Sequence, residues 1–253
     1  ILEGLPRGGT AILPVDSPYY AILEQKASRQ AMCKIITFGE SEAATFRLLN
    51  LSNTSGGQRL TTRCRDQSLR YALPVFGHHH ALNSLAALAA IGSLGGNVDK
   101  ASKPLETWQP SAGRGTLHNI TLPNGTPILL IDDSYNASPS SMEAAFSILA
   151  TLKQQHPDRR IIAVLGDMLE LGTQSPALHK GLAAPLLAAS IDCVHSAGPL
   201  MKHLHNTLPA ARRGIHTSTA QQLLPAILDS LQPDDIVLIK GSHGSHMWQL
   251  AKT

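Results

Sequence analysis

The stretch PILLIDDSYNASP, Pro127 to Pro139, decides the fold. Its first half is an apolar run of strand length that ends on two carboxylates. Its second half is a short polar turn into a helix. Ser138 suits the cap, and Pro139 suits the first turn because it has no N–H to leave unbonded. A strand running straight into a capped helix is the unit from which parallel sheets are built. The same grammar recurs in RIIAVLGDMLELG (160–172) and DIVLIKGSHG (235–244). Strands are predicted over Arg160–Leu165, Asp192–Ser196, Ile215–Thr217 and Asp235–Ile239, with helices near 173–190, 199–208 and 219–232. Upstream, Thr116–Thr121 and Pro127–Asp133 flank Pro123-Asn124-Gly125, a hairpin signal. Residues 110–253 therefore read as a doubly wound α/β domain.

Further upstream the texture changes. Thr10–Val15 and Lys34–Gly39 read as strands around a helix from Pro18 to about Arg29. Phe46 to Phe76 shows short alternating runs about Gly56-Gly57, which predicts an antiparallel excursion. An Ala/Leu-rich helix follows from about His79 to Leu94, closed by Gly95-Gly96. Between the two textures lies KPLETWQPSAGRG (103–115), with two prolines and two glycines. The domain join is placed there, giving 1–109 and 110–253.

Composition narrows the function. Of 253 residues, 43% are hydrophobic, enough for a sizeable core and too many for a disordered chain. The net charge of +3 is spread thinly and points to neither nucleic acid nor a membrane surface. Cys33, Cys64 and Cys193 are odd in number and widely spaced, which fits a reducing cytosol better than a disulfide framework or a zinc site. No apolar run reaches the roughly 18 residues of a membrane span. The run His78-His79-His80 invites a metal reading, but successive helix residues do not share a face, and no metal site is assigned.

In an open parallel sheet, ligands sit beyond the carboxyl ends of the strands. Three polar segments fall there: DDSYNASP (132–139), GDMLELG (166–172) and KGSHG (240–244). Turn formers and helix caps alone would explain any one of them; all three at one edge favour a binding face. Two adjacent carboxylates repel unless something resolves them, and one of the pair could accept from ribose hydroxyls. Tyr135 offers a flat apolar face with a polar tip. Arg114, between two glycines, could approach a phosphate or simply be solvated. Lys240 could neutralise Asp234 or Asp235, or meet a carboxylate or phosphate in a cleft. No GxxxxGK[ST] phosphate loop and no strand-borne GxGxxG occurs.

At these residues the sequence resembles the Mur ligases. The resemblance runs through EGLPRGGTAILPVDSPYY (3–20), GHHHALNSLAA (77–87), GRG (113–115), DDSYNASP, LGDMLELG (165–172) and IKGSHG (239–244), in the family's order and over essentially the whole chain. DDSYNASP and GDMLELG mark the branch that adds D-alanyl-D-alanine to UDP-N-acetylmuramoyl-tripeptide in peptidoglycan synthesis. The resemblance implies an ATP-dependent amide ligase working through an acyl phosphate, with ATP and Mg2+ as cofactors. It implies part of the central ATPase domain followed by a Rossmann-like C-terminal domain. It also implies that this chain, opening on Ile1, is a fragment lacking the substrate domain, the phosphate loop, the magnesium ligands and a carbamoylated lysine just upstream, and is inactive alone.

By the same resemblance, His79, Asn83, Arg114, Asp133 and Tyr135 bind nucleotide, and Asp167, Lys240 and Ser242 bind substrate. No catalytic residue is assigned. Two positions depart from the family: His80 stands where asparagine is frequent, and His243 where arginine often follows KGS. The expected setting is a cytoplasmic monomer that binds the UDP-linked tripeptide and D-alanyl-D-alanine. The competing readings are a non-catalytic α/β nucleotide- or substrate-binding module, and another amide ligase of the superfamily, such as a folylpolyglutamate synthetase.

Overall fold

The computed structural model describes residues 2–30, 32–54 and 56–252, so the reading of Ile1 lies outside the described residues. The chain divides into two compact units, Ile1–Gln109 and Pro110–Thr253.

The first unit is a five-stranded mixed sheet in chain order, β1-β2-β3-β4-β5. β1 (Thr10–Pro14), β2 (Lys34–Gly39) and the start of β3 (Phe46–Thr54) run parallel, with α1 (Tyr20–Ser28) between the first two. β3, β4 (Gly57–Cys64) and β5 (Gln67–Leu73) are antiparallel, as the alternating texture predicts. Helix α2 (His78–Ser93) buries Ala81, Leu85, Leu88 and Ala89, one face at three- and four-residue spacing. That face packs on Phe46, Leu48, Leu60, Tyr71 and Leu73 of the sheet. Tyr71 and Ser84 share a buried hydroxyl–hydroxyl hydrogen bond of 2.7 Å, so this core carries no stranded phenol. α3 (Val98–Ser102), which the sequence reading did not foresee, is capped by Asn97, whose side chain accepts from the Lys100 amide at 2.9 Å.

The second unit holds a six-stranded sheet ordered β10-β9-β8-β11-β7-β6. β6 (Thr116–Thr121) and β7 (Pro127–Asp133) form the expected antiparallel hairpin. β8 (Ile161–Gly166), β9 (Cys193–Ala197), β10 (Arg213–Thr217) and β11 (Ile236–Lys240) continue from β7 as parallel neighbours. Every residue of β8 and β11 is buried, as central strands covered on both faces require. On one face Ile128, Ile162, Val164, Val237 and Ile239 pack with Leu223 and Ile227 of α8 (Ala220–Ser230) and with Met247 and Leu250 of the C-terminal tail.

Helix α4 (Pro139–Gln155) opens as the sequence demands. The Ser138 hydroxyl accepts from the Ser141 amide, and Ser141 Oγ accepts from the Ser138 amide, a reciprocal capping box. The single helix expected over 173–190 is instead α5 (Ser175–Gly181) and α6 (Ala183–Ala188). Pro185 has no N–H for the Gly181 carbonyl, so a continuous helix would lose a bond there. α7 (Met201–Thr207) leads into β10.

Candidate functional site

The register of the second sheet brings the three polar segments to one edge. Lys240 is level with Asp133 on one side and Leu165 on the other, and Gly166 is level with Ala197. The carboxyl ends of β7, β8, β9 and β11 thus form a single rim, the place where such sheets hold ligands.

At this rim the two adjacent carboxylates are resolved separately. Asp132 Oδ1 accepts from the Ser134 hydroxyl at 2.5 Å and from the Ser134 amide at 3.2 Å. Asp133 faces the other way. Its Oδ2 accepts from Lys240 Nζ at 2.6 Å, and the same ammonium donates to the Asn136 carbonyl at 3.1 Å. The Lys240 side chain is only 2% exposed, against 24% for Asp133. Burial pushes the Asp133 carboxyl above the usual carboxylate range; Lys240 and Arg114 pull it down and Asp132 pushes it up. Lys240 therefore meets the cleft carboxylate rather than Asp234 or Asp235. Asp235 instead pairs with Arg160 at 2.6 Å.

Arg114 stands over Tyr135, its guanidinium carbon 4.1 Å from the ring centroid. The backbone enforces this. The Tyr135 amide donates to the Gly113 carbonyl at 2.9 Å, and the Gly115 amide to the Asp132 carbonyl at 2.8 Å. Gly113 and Gly115 both have positive φ, +74° and +80°, which explains glycine on either side of the arginine. Tyr135 is 48% exposed, so one face remains open. His243 lies 6.1 Å from the Tyr135 ring and stacks on Trp248 at 6.0 Å and 13°, extending the aromatic surface.

Asp167 and Ser242 are turned inward. Both Asp167 oxygens accept backbone amides at the start of α7, from Leu200 at 3.3 Å and Met201 at 2.7 Å. Ser242 Oγ accepts from the Leu169 amide at 2.9 Å and donates to the Ala137 carbonyl at 3.3 Å, and its own amide donates to the Asp167 carbonyl at 3.0 Å. These bonds lace the three rim segments together. His179, which sequence reasoning missed, anchors the middle one. Its Nε2 accepts from the Met168 amide at 2.9 Å, which leaves Nδ1–H to donate to the Ser175 carbonyl at 2.6 Å. A lone histidine on an apolar helix face gave no signal of this, and nothing local marked the Trp248 stack.

His79 and Asn83 belong to the first unit. Four residues apart on α2, they share a face, and Asn83 is exposed. Of the three consecutive histidines, His78 turns to Glu40, its Nε2 3.2 Å from a carboxylate oxygen, while the His79 and His80 rings lie 4.0 Å apart and the His80 ring lies 5.5 Å from Trp108. Burial, and then His79, pushes the His80 imidazole down to about 4. Among the described residues no group of three or more His, Cys, Asp or Glu could hold a metal ion.

Comparison with known proteins gives this rim its relatives. Residues 1–91 match the Mur ligase middle domain, and residues 119–243 match the Mur ligase, glutamate ligase domain. Over its whole length the chain is 32% identical to the UDP-N-acetylmuramoyl-tripeptide--D-alanyl-D-alanine ligase of Escherichia coli K12, covering 53% of it. It is 29% identical to the enzyme of the same name from Bacillus subtilis 168, covering 52%. Among solved structures, MurF from Acinetobacter baumannii matches all of this chain, and 52% of its own, with a TM-score of 0.84 at 25% identity. MurF from Thermotoga maritima in complex with ADP matches 96% of this chain, and 52% of its own, with a TM-score of 0.76 at 22% identity. The chain spans about half the length of the curated relatives it matches. With a middle-domain match in its first unit and a C-terminal-domain match in its second, the chain belongs to the Mur ligase family.

Proposed function

We propose that this chain carries part of the ATP-binding middle domain, and the C-terminal domain, of an ATP-dependent ligase that joins D-alanyl-D-alanine to UDP-N-acetylmuramoyl-tripeptide in the cytoplasm. The observation that carries the reading is the Arg114–Tyr135–Asp133–Lys240 group at the rim of a sheet whose relatives bear that enzyme's name. In the reaction, the tripeptide carboxylate takes the γ-phosphoryl group of ATP and releases ADP. The dipeptide amine then attacks the acyl phosphate, forming the amide as phosphate leaves.

The chain's own residues contribute binding and placement. Lys240 occupies one oxygen of Asp133 and leaves Oδ1 to accept from ribose hydroxyls. Tyr135 supplies a half-open flat face, and Arg114, stacked on it, keeps N–H edges for phosphate oxygens. On the first unit, His79 and Asn83 contribute a histidine ring and an exposed amide to nucleotide binding. Asp167, Lys240 and Ser242 act on substrate by holding the rim segments in register. The described residues offer no cluster suited to Mg2+, and no step is assigned to a metal here.

The test is calorimetric titration of ATP, ADP and D-alanyl-D-alanine into the monomeric chain. A nucleotide affinity that falls at least tenfold in both Arg114→Ala and Asp133→Asn, with unfolding midpoints checked in parallel, supports the reading. Binding unchanged in both variants overturns it.

A further inference from the structure

Away from the Tyr135 rim, the far end of the second sheet carries two histidines that the proposed ligase reading does not use. His205 is on α7 and His216 near the end of β10. Their ring centroids are 5.2 Å apart, with the planes tilted by 37°. The hydrogen bonding of the two rings is unequal. His216 Nδ1 lies 3.0 Å from Ser196 Oγ, and in the tautomer whose Nδ1–H donates to that hydroxyl, Nε2 keeps a bare lone pair. His205 Nδ1 is buried and has no hydrogen-bond partner. A ring nitrogen shut off from solvent and without a protein partner is costly, and a group that takes its lone pair would relieve that cost.

We propose that His205 and His216 form a binding site for a borderline-soft divalent cation of the zinc or nickel type, ligated through His205 Nδ1 and His216 Nε2. The spacing suits it. Two imidazoles on one tetrahedral ion, with metal–nitrogen bonds of about 2.0–2.1 Å, put their ring centres roughly 5 Å apart. The Ser196 bond is the outer partner that a ligating histidine characteristically has, fixing tautomer and ring plane. No third His, Cys, Asp or Glu joins them among the described residues, so water completes the shell.

The surrounding charges are mixed. Lys202 and Arg213 oppose a cation, and Asp167 favours it. Arg213 is partly withdrawn, its Nη2 donating to the Leu208 carbonyl at 2.7 Å. A bound ion would tie α7 to β10. Because Asp167 caps α7, it would also stiffen the GDMLELG segment.

The experiment is titration of Zn2+ into the chain by calorimetry, with Ni2+ as a paramagnetic probe of the histidine ring signals. The expected result is one saturable equivalent of Zn2+, with the His205 and His216 signals broadened first by Ni2+. His205→Gln and His216→Gln should each weaken that equivalent at least tenfold, and His203→Gln, an exposed neighbour, should not. An isotherm unchanged in both variants, or Ni2+ broadening confined to His78–His80, overturns the proposal. The Ni2+ spectra of the unaltered chain decide the matter should either variant fail to fold.

Discussion

The Lys240 ammonium donates to the Asp133 carboxylate across 2.6 Å, although the two residues are 107 positions apart in sequence and come from different parallel strands. One partner is almost wholly buried and the other is three-quarters buried. Removing one member of such a pair strands the other, which is far costlier than replacing both.

Lys240→Met should therefore destabilise the second unit by about 3 kcal/mol. It should also push the Asp133 carboxyl still higher, since the main opposing charge is gone. Chemical denaturation checks the first effect, and carboxyl chemical shifts against pH check the second. The double variant Lys240→Met, Asp133→Leu should recover a large part of the loss.

Gly198 holds φ at +112°, and a Cβ there would collide with the Asp167 carboxylate. Gly198→Ala should cost about 1–3 kcal/mol from backbone strain alone. It should also displace Asp167 from the α7 amides. A lowered thermal midpoint, together with faster amide exchange at Met201, is the expected result.

Asp192 accepts from Lys153 at 3.1 Å, from Arg212 at 3.0 Å and from the Ile161 amide at 2.9 Å. Burial alone would raise its carboxyl, but these donors outweigh it and hold it below the usual range. A depressed folded value means the stabilisation is present above the ordinary carboxylate pKa and is lost as pH falls through the folded value, below about 4. Asp192→Asn should lower stability at pH 7 by about 2 kcal/mol. Its difference from the parent should shrink in that acid window.

His80 acts with the same sign over a higher pH window, since its folded value is also depressed. Its folded value near 4 lies below that of an unfolded histidine, so the unfolded chain binds protons first. Stability should rise with pH between about 4 and 6.5 on this account. The His80 ring signals should stay constant from pH 8 down to 5 and move only near pH 4. A midpoint near 6.5 would contradict the buried neutral ring.

Much of the fold was legible because local patterns carry it. Apolar runs of strand length marked β7, β8 and β11, Ser138-Pro139 marked the start of α4, and Pro123-Asn124-Gly125 marked the hairpin. The one large departure, the division of 173–190, comes from Pro185 inside a stretch whose composition otherwise favours helix. The rim was legible as three polar segments after three strands. The inward roles of Asp167 and Ser242 were not, because a polar residue at a strand end looks the same whether it faces a ligand or a neighbouring loop.

The sequence by itself determined which residues are buried in strands, which turns open helices, and that DDSYNASP, GDMLELG and KGSHG lie at the carboxyl ends of their strands. Only the tertiary structure decided that β11 inserts between β7 and β8. That insertion hands Lys240 to Asp133, Ser242 to Ala137 and Leu169, and leaves Asp167 to cap α7. The physical reason is that periodicity records which face of a strand avoids water and is silent about which strand becomes its neighbour. Neighbour choice is settled by packing the whole sheet between its helices, and the buried ion pair exists only once that choice is made.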